Sequence, residues 1–173
     1  MTAVTIDTQR LHLRPASLAD FESFHSLTQS DRMRQFLGRE PPSKEDSFKR
    51  LLRNAGCWHL FGWGPFMVID REKGGHVGVC GFFRAARGLG EDFDPFPEAG
   101  WVIAEEAWGR GYATEAMRAI LAWFERKHGG GRTVCIISPG NAPSERMAAN
   151  LGYETIGMAK YKDEPVMRYA REA

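Results

Sequence analysis

Residues Glu98 to Glu115 read EAGWVIAEEAWGRGYATE, and this stretch decides the fold. Trp101, Val102 and Ile103 form an apolar run of strand character. Gly109, Arg110 and Gly111 make a glycine-rich turn, and a helix begins directly after it. Ala113, Ala116, Met117, Ile120, Leu121 and Phe124 recur at helical spacing and define one apolar face. Glu115, Arg118, Glu125 and Arg126 fall on the other face, and Gly129, Gly130 and Gly131 end the helix. The helix start, from Arg110 to Thr114, leaves backbone N–H groups without intrahelical acceptors. The positive end of the helix dipole lies there too, and Gly109, Gly111 and Ala113 are too small to obstruct a ligand. Such a place can hold phosphate. The plainer reading is an ordinary strand-to-helix turn that needs glycine for its dihedrals.

The flanking sequence narrows the choice. GRGYAT lacks the full G-x-G-x-x-G of a dinucleotide fold. The next strand, RTVCIIS over Arg132 to Ser138, ends in Ser138-Pro139 with no carboxylate. A Rossmann half would carry an acidic residue there. Ser138, Pro139, Gly140, Asn141 and Pro143 form a turn cluster. Ser144 to Leu151 reads as a short helix, capped near Asn141 or Ala142 and followed by Gly152.

The rest of the chain supplies a scaffold. Leu11 and Leu13 alternate with His12 and Arg14, a first strand ended by Pro15. Helices are expected over Leu18 to Thr28, Asp31 to Leu37 and Ser43 to Ala55, the last capped by Ser43 with Asp46 three residues on. Gly64 to Asp70 and His76 to Arg84 read as a hairpin joined by Arg71 to Gly75. Glu98 to Ala104, Tyr153 to Met158 and Met167 to Tyr169 complete the strands. The order predicts an α/β mixed sheet of about six or seven strands flanked by helices, in one domain over 1–173.

Composition agrees with a globular protein. Hydrophobic residues make up 43% and charged residues 26% of the chain. The formal net charge of +1 points to neither nucleic acid nor an acidic membrane as a partner. No apolar run approaches the roughly 20 residues of a membrane span. The opening MTAVTIDTQR has neither a basic nor an apolar region of a secretory signal. Cys57, Cys80 and Cys135 read as buried thiols of a reducing compartment, so the expected location is cytoplasmic. The five histidines show no ligand spacing, and no metal is expected.

Two stretches, AEEAWGRGYATEAM and IISPGNAPSERMAANLGYE, together resemble the GNAT superfamily of acetyl-CoA-dependent N-acetyltransferases. The resemblance extends to the branch of ribosomal-protein N-terminal acetyltransferases, through TQRLHLRPASLAD and MRQFLG. It covers nearly the whole chain and is weakest between about Ala85 and Pro97. It implies a mostly antiparallel sheet splayed between its fourth strand (Trp101–Ala104) and its fifth (Thr133–Ser138), with the pantetheine arm of acetyl-CoA in that cleft. Val102 and Ile103 would line the cleft. Trp108, Gly109, Arg110, Gly111, Tyr112, Ala113 and Thr114 would form the pyrophosphate loop, with Trp108, Gly111 and Ala113 in its motif places. The acceptor would be a primary amine, either a peptide N-terminus or a small molecule, and the chain a monomer or homodimer.

Acetyl transfer to an amine needs a neutral amine, a polarised thioester carbonyl and a stabilised leaving thiolate. Direct attack in a ternary complex suffices, without a covalent enzyme intermediate. Glu98 matches the family position for the base; the alternative is a carboxylate in solvent or in an ion pair. Glu105 and Glu106 are weaker candidates. The family tyrosine on the last short helix is absent, Ala148 standing in its place. The resemblance offers Asn141 as a contact to the pantetheine amides and Ser144 as the hydroxyl near the sulfur; helix capping is the alternative for both. Tyr153 and Tyr161 are backups for the acid, with packing the plainer reading of each. Cys135, mid-strand in an apolar run, reads as a core thiol, not a nucleophile. Trp58, Trp63 and Phe66 are core or acceptor-pocket wall. The acids of Arg87 to Pro97 either attract a cationic acceptor or sit in a solvated loop. A non-catalytic acyl-CoA-binding sensor is the alternative function.

Overall fold

The computed structural model describes residues 4–37 and 40–173. The first three residues of the opening segment and the final glycine of MRQFLG lie outside the described residues. The strands are β1 (Ile6–Asp7), β2 (Leu11–Pro15), β3 (Pro65–Asp70), β4 (His76–Phe83), β5 (Glu98–Ile103), β6 (Thr133–Ile137), β7 (Glu154–Tyr161) and β8 (Glu164–Arg171). The helices are α1 (Phe21–Ser26), α2 (Asp31–Leu37), α3 (Lys44–Phe61), α4 (Tyr112–His128) and α5 (Ala142–Asn150). The eight strands among the described residues join one sheet in the order β1-β2-β3-β4-β5-β6-β8-β7. The additional strand is β1, whose two residues pair Ile6 with Leu13 and Asp7 with His12 and are too few to show a period.

Every neighbouring pair is antiparallel except β5 and β6, which run parallel. These two strands share a single register pair, Glu98 with Val134. The Val134 N–H also reaches the Pro97 carbonyl at 3.0 Å. Past that point β5 keeps β4 as a partner and β6 keeps β8. The sheet is therefore split where the family resemblance implies.

Residue alternation along the strands divides the core into two layers. Phe66 and Val68 of β3 join Phe82, Ala99 and Ile103 under the apolar stripe of α4. Met67, between them, turns to the opposite face and packs with Phe24 of α1 and Leu51 of α3. The α4 stripe is buried at Ala116, Met117, Ile120, Leu121 and Phe124, and the helix ends at Gly129 with φ 79°. Trp58, Trp63 and Phe66 are core: Trp58 sits edge-on to Phe66, and Trp63 edge-on to Phe82 and Phe124.

Three expectations need correction. α3 runs past Ala55 to Phe61 and stops at Gly62, whose φ is 72°. Gly56 does not break it, because buried Cys57 and the Trp58 indole, bonded to the Pro65 carbonyl at 3.0 Å, reward the extra turns. The first predicted helix begins as a tighter 3-10 turn over Leu18–Asp20, with Leu18 exposed. The Arg87 to Pro97 insert is more than a solvated loop: it is anchored on the sheet, while Glu91 and Asp92 stay exposed. Leu89 and Phe93 are buried against Val134 and Ala170. Asp92 pairs with Arg168 at 2.8 Å, and Asp94 accepts the Gly90 N–H at 3.3 Å.

Candidate active site

The glycine turn is built from two left-handed residues. Gly109 and Gly111 both have φ 74°, a region that side chains with a Cβ occupy at a cost. A Cβ at Gly109 would meet open space, so conformation and not crowding demands glycine there. Gly111 is the N-cap of α4, and its carbonyl accepts the Glu115 N–H at 3.0 Å. The N–H groups of Tyr112, Ala113 and Thr114 consequently have no acceptor within the helix. Trp108 turns its indole back, donating to the Ile103 carbonyl at 2.7 Å. The Tyr112 side chain is buried and donates to Asp70 at 2.7 Å, so this residue offers a ligand its backbone and not its ring.

The split carries a second cluster. Trp101 of β5 sends its indole N–H across to the Ser144 hydroxyl of α5 at 3.3 Å. Asn141 is the N-cap of α5, and its side-chain oxygen accepts the Ser144 N–H at 3.3 Å. Asn141 and Ser144 thus stand together in the first turn of α5, with Ser144 beside Trp101. Ser138, at the end of β6, donates to the Phe36 carbonyl of α2 at 3.1 Å. Trp101 was legible as an apolar strand residue; its polar role was not, although an indole packed indoors needs an acceptor.

Glu98 begins β5 and is only 4% exposed. Arg87 grips it from the insert: Nε lies 2.8 Å from Oε2 and Nη2 lies 2.8 Å from Oε1. The Arg87 guanidinium also stacks over the Tyr161 ring at 4.5 Å. Burial pushes the Glu98 carboxyl above the usual carboxylate range, and Arg87 pulls partly against it. Glu98 and Trp101 are three residues apart on one strand, so their side chains leave opposite faces of the sheet. Among the described residues no hydrogen bond joins Glu98 to Ser144. Sequence spacing gave no sign of Arg87, which comes from an irregular segment.

The remaining candidates are tied elsewhere. Glu105 accepts from the Ser30 hydroxyl and from Arg32, which pull its carboxyl below the ordinary range. The Tyr153 hydroxyl is buried 2.9 Å from the Thr133 hydroxyl, and burial raises its pKa. Cys135 is buried and pushed up likewise, and Cys80 is pushed up to about 12, so neither is a thiolate at neutral pH. Among the described residues no group of three or more His, Cys, Asp or Glu side chains is placed to hold a metal ion. No helix among them is long and apolar enough to cross a membrane.

Known proteins share this architecture. The acetyltransferase (GNAT) domain family matches residues 10–154. A protein from Bordetella pertussis, assigned to the GnaT acetyltransferases, superposes with a TM-score of 0.88 at 32% identity, covering 97% of this chain and 99% of that one. The uncharacterized N-acetyltransferase YnaD of Bacillus subtilis is 26% identical over 90% of this chain and 85% of its own length. An acetyltransferase from Salmonella typhimurium that modifies the N-terminal serine of ribosomal protein L7/L12 has the same fold. Its TM-score is 0.77 at 19% identity, over 98% of this chain and 99% of that one. The family model spans the split, the glycine turn and both caps, and on that ground the chain belongs to the acetyltransferase (GNAT) domain family, as an acetyl-CoA-dependent N-acetyltransferase.

Proposed function

We propose that this enzyme acetylates the α-amino group of a peptide or a small molecule, by direct attack on the thioester in a ternary complex. The observation that carries the reading is the split between β5 and β6, flanked at one end by the glycine turn and at the other by Glu98. The free N–H groups from Tyr112 to Thr114 fit a pyrophosphate, and Gly109, Arg110 and Gly111 leave it room. Val102 and Ile103 border the pantetheine arm, with Asn141 and Ser144 facing it from α5, and Trp108 closes the turn below. Acetyl-CoA, when bound there, supplies the activated acetyl group.

The chain's own groups then divide the work by face. Ser144, oriented by Trp101, hydrogen-bonds the leaving sulfur. On the other face Glu98 takes the proton that the amine loses as its nitrogen bonds the carbonyl carbon and the C–S bond breaks. A carboxyl paired with Arg87 is a modest base. It suits an α-amine, whose ordinary pKa is about 7.7–8.0, better than a lysine-like amine near about 10.4. The Salmonella protein of the same fold acts on an N-terminal serine, which agrees with this acceptor class.

The Arg87–Glu98 pair also favours a second reading, a non-catalytic acyl-CoA sensor, because it neutralises the candidate base. Thiol release separates the two. The enzyme is incubated with acetyl-CoA and peptides bearing N-terminal Ala or Ser, with a polyamine as comparison. Release with the peptides supports the proposal. Thermal stabilisation by acetyl-CoA without release from any amine leaves the sensor.

A further inference from the structure

Arg10 lies in the turn between β1 and β2, a hundred residues before the helix start that it touches. Its Nη1 donates to the Arg110 carbonyl at 2.8 Å. Its Nε donates to Glu115 Oε2 at 2.7 Å, and its backbone N–H donates to Oε1 at 3.0 Å. Thr8 donates to the same Oε1 at 2.6 Å. The guanidinium also covers the Tyr112 ring at 4.7 Å. Tyr112 is itself fixed by Asp70, whose Oδ1 accepts the Glu72 N–H at 2.9 Å and the Lys73 N–H at 3.1 Å. Three segments distant in sequence are thus locked beneath one turn.

We infer that Arg10 is a positioning residue for the phosphate-binding turn, an inference that rests on the acetyl-CoA reading of that turn. Two physical effects follow from its contacts. A trans peptide points its C=O and N–H in opposite directions, so holding the Arg110 carbonyl on the Arg10 side aims the Gly111 N–H the other way. A carboxylate in the first turn of α4 would also repel a bound pyrophosphate. Arg10 neutralises Glu115 and leaves the positive end of the helix for the ligand. Arg10 does not need to touch the ligand to do either.

Calorimetric titration of coenzyme A and dephospho-coenzyme A into wild type, Arg10→Ala and Arg10→Lys tests this, beside kinetics with acetyl-CoA and S-acetylpantetheine. Arg10→Ala is expected to weaken both nucleotides by about tenfold, the scale of one charge-assisted hydrogen bond. KM for acetyl-CoA rises correspondingly, kcat at saturation stays within about twofold, and S-acetylpantetheine, which lacks the pyrophosphate, is used as before. Arg10→Lys keeps the charge without the fork and moves in the same direction. Unchanged affinity in Arg10→Ala overturns the inference. So does a loss confined to coenzyme A and absent with dephospho-coenzyme A, which would make Arg10 a direct 3′-phosphate ligand. An equal loss with S-acetylpantetheine overturns it as well, since that marks a general structural role. Failure of wild type to bind coenzyme A would instead sink the acetyl-CoA reading of the turn.

Discussion

Arg87 and Glu98 form a bidentate ion pair at the closed end of the split, with the carboxylate 5% and the guanidinium 15% exposed in their side chains. A buried pair of this kind is costly to break from one side, because the partner is left charged and dry. In the proposed mechanism the pair also governs Glu98, whose carboxylate would be available as a base only to the extent that Arg87 shares it.

Glu98→Gln is therefore expected to lower kcat by about a hundredfold, within the usual range for a lost general base, with little change in acetyl-CoA affinity. Wild-type kcat should rise with pH through an apparent value above the ordinary 4.5 of a glutamate, in the direction that burial moves this group. Steady-state rates across pH for both proteins check this. A variant with the wild-type pH profile removes Glu98 as the base.

Trp101 and Ser144 give a prediction on the opposite face. Trp101→Phe keeps a ring in the split but removes the indole donor to Ser144. Expected is a fall in kcat of about tenfold with the thermal midpoint nearly unchanged, and Ser144→Ala should match or exceed it. The double variant should lose little more than Ser144→Ala alone, because the two act through one hydroxyl. Additive losses would separate the residues.

Acid stability turns on Asp20. It is buried, and both its oxygens accept from Arg14 at 2.7 Å while the Ser17 N–H donates to it at 2.6 Å. The Arg14 guanidinium, followed by these donors, holds its carboxyl well below the ordinary 3.8. A depressed folded pKa means that the unfolded chain binds the proton first as pH falls. The stabilisation is thus complete above the ordinary value and is lost progressively below about pH 4. Asp20→Asn should cost about 2 kcal/mol at neutral pH and flatten the acid limb of the melting curve. Melting temperatures from pH 3 to pH 7 check it, and an acid limb identical to wild type counts against Asp20.

The frame of this site was legible because it is periodic. The α4 stripe, the Trp101–Ile103 run and the glycines of the turn each follow a spacing, and α4 and β5 lie where the spacing places them. The contacts that tune the site follow none. Arg87 reaches Glu98 from an aperiodic insert, and Arg10 reaches Arg110 from a turn a hundred residues earlier in the chain. Single residues in turns carry no pattern, and only the fold brings them to their partners. Gly56 lies inside α3, which the burial of Cys57 and the anchoring of Trp58 extend to Phe61.

The central claim is that the turn from Gly109 to Thr114 holds the pyrophosphate of acetyl-CoA, and calorimetric titration of acetyl-CoA into wild type and Gly111→Glu tests it most directly. Gly111 has φ 74° and is exposed, so glutamate there adds backbone strain, bulk and negative charge at the helix start. The expected result is binding to wild type and no measurable binding to a variant that still melts cooperatively. Equal affinity of a folded Gly111→Glu variant for acetyl-CoA would contradict the account.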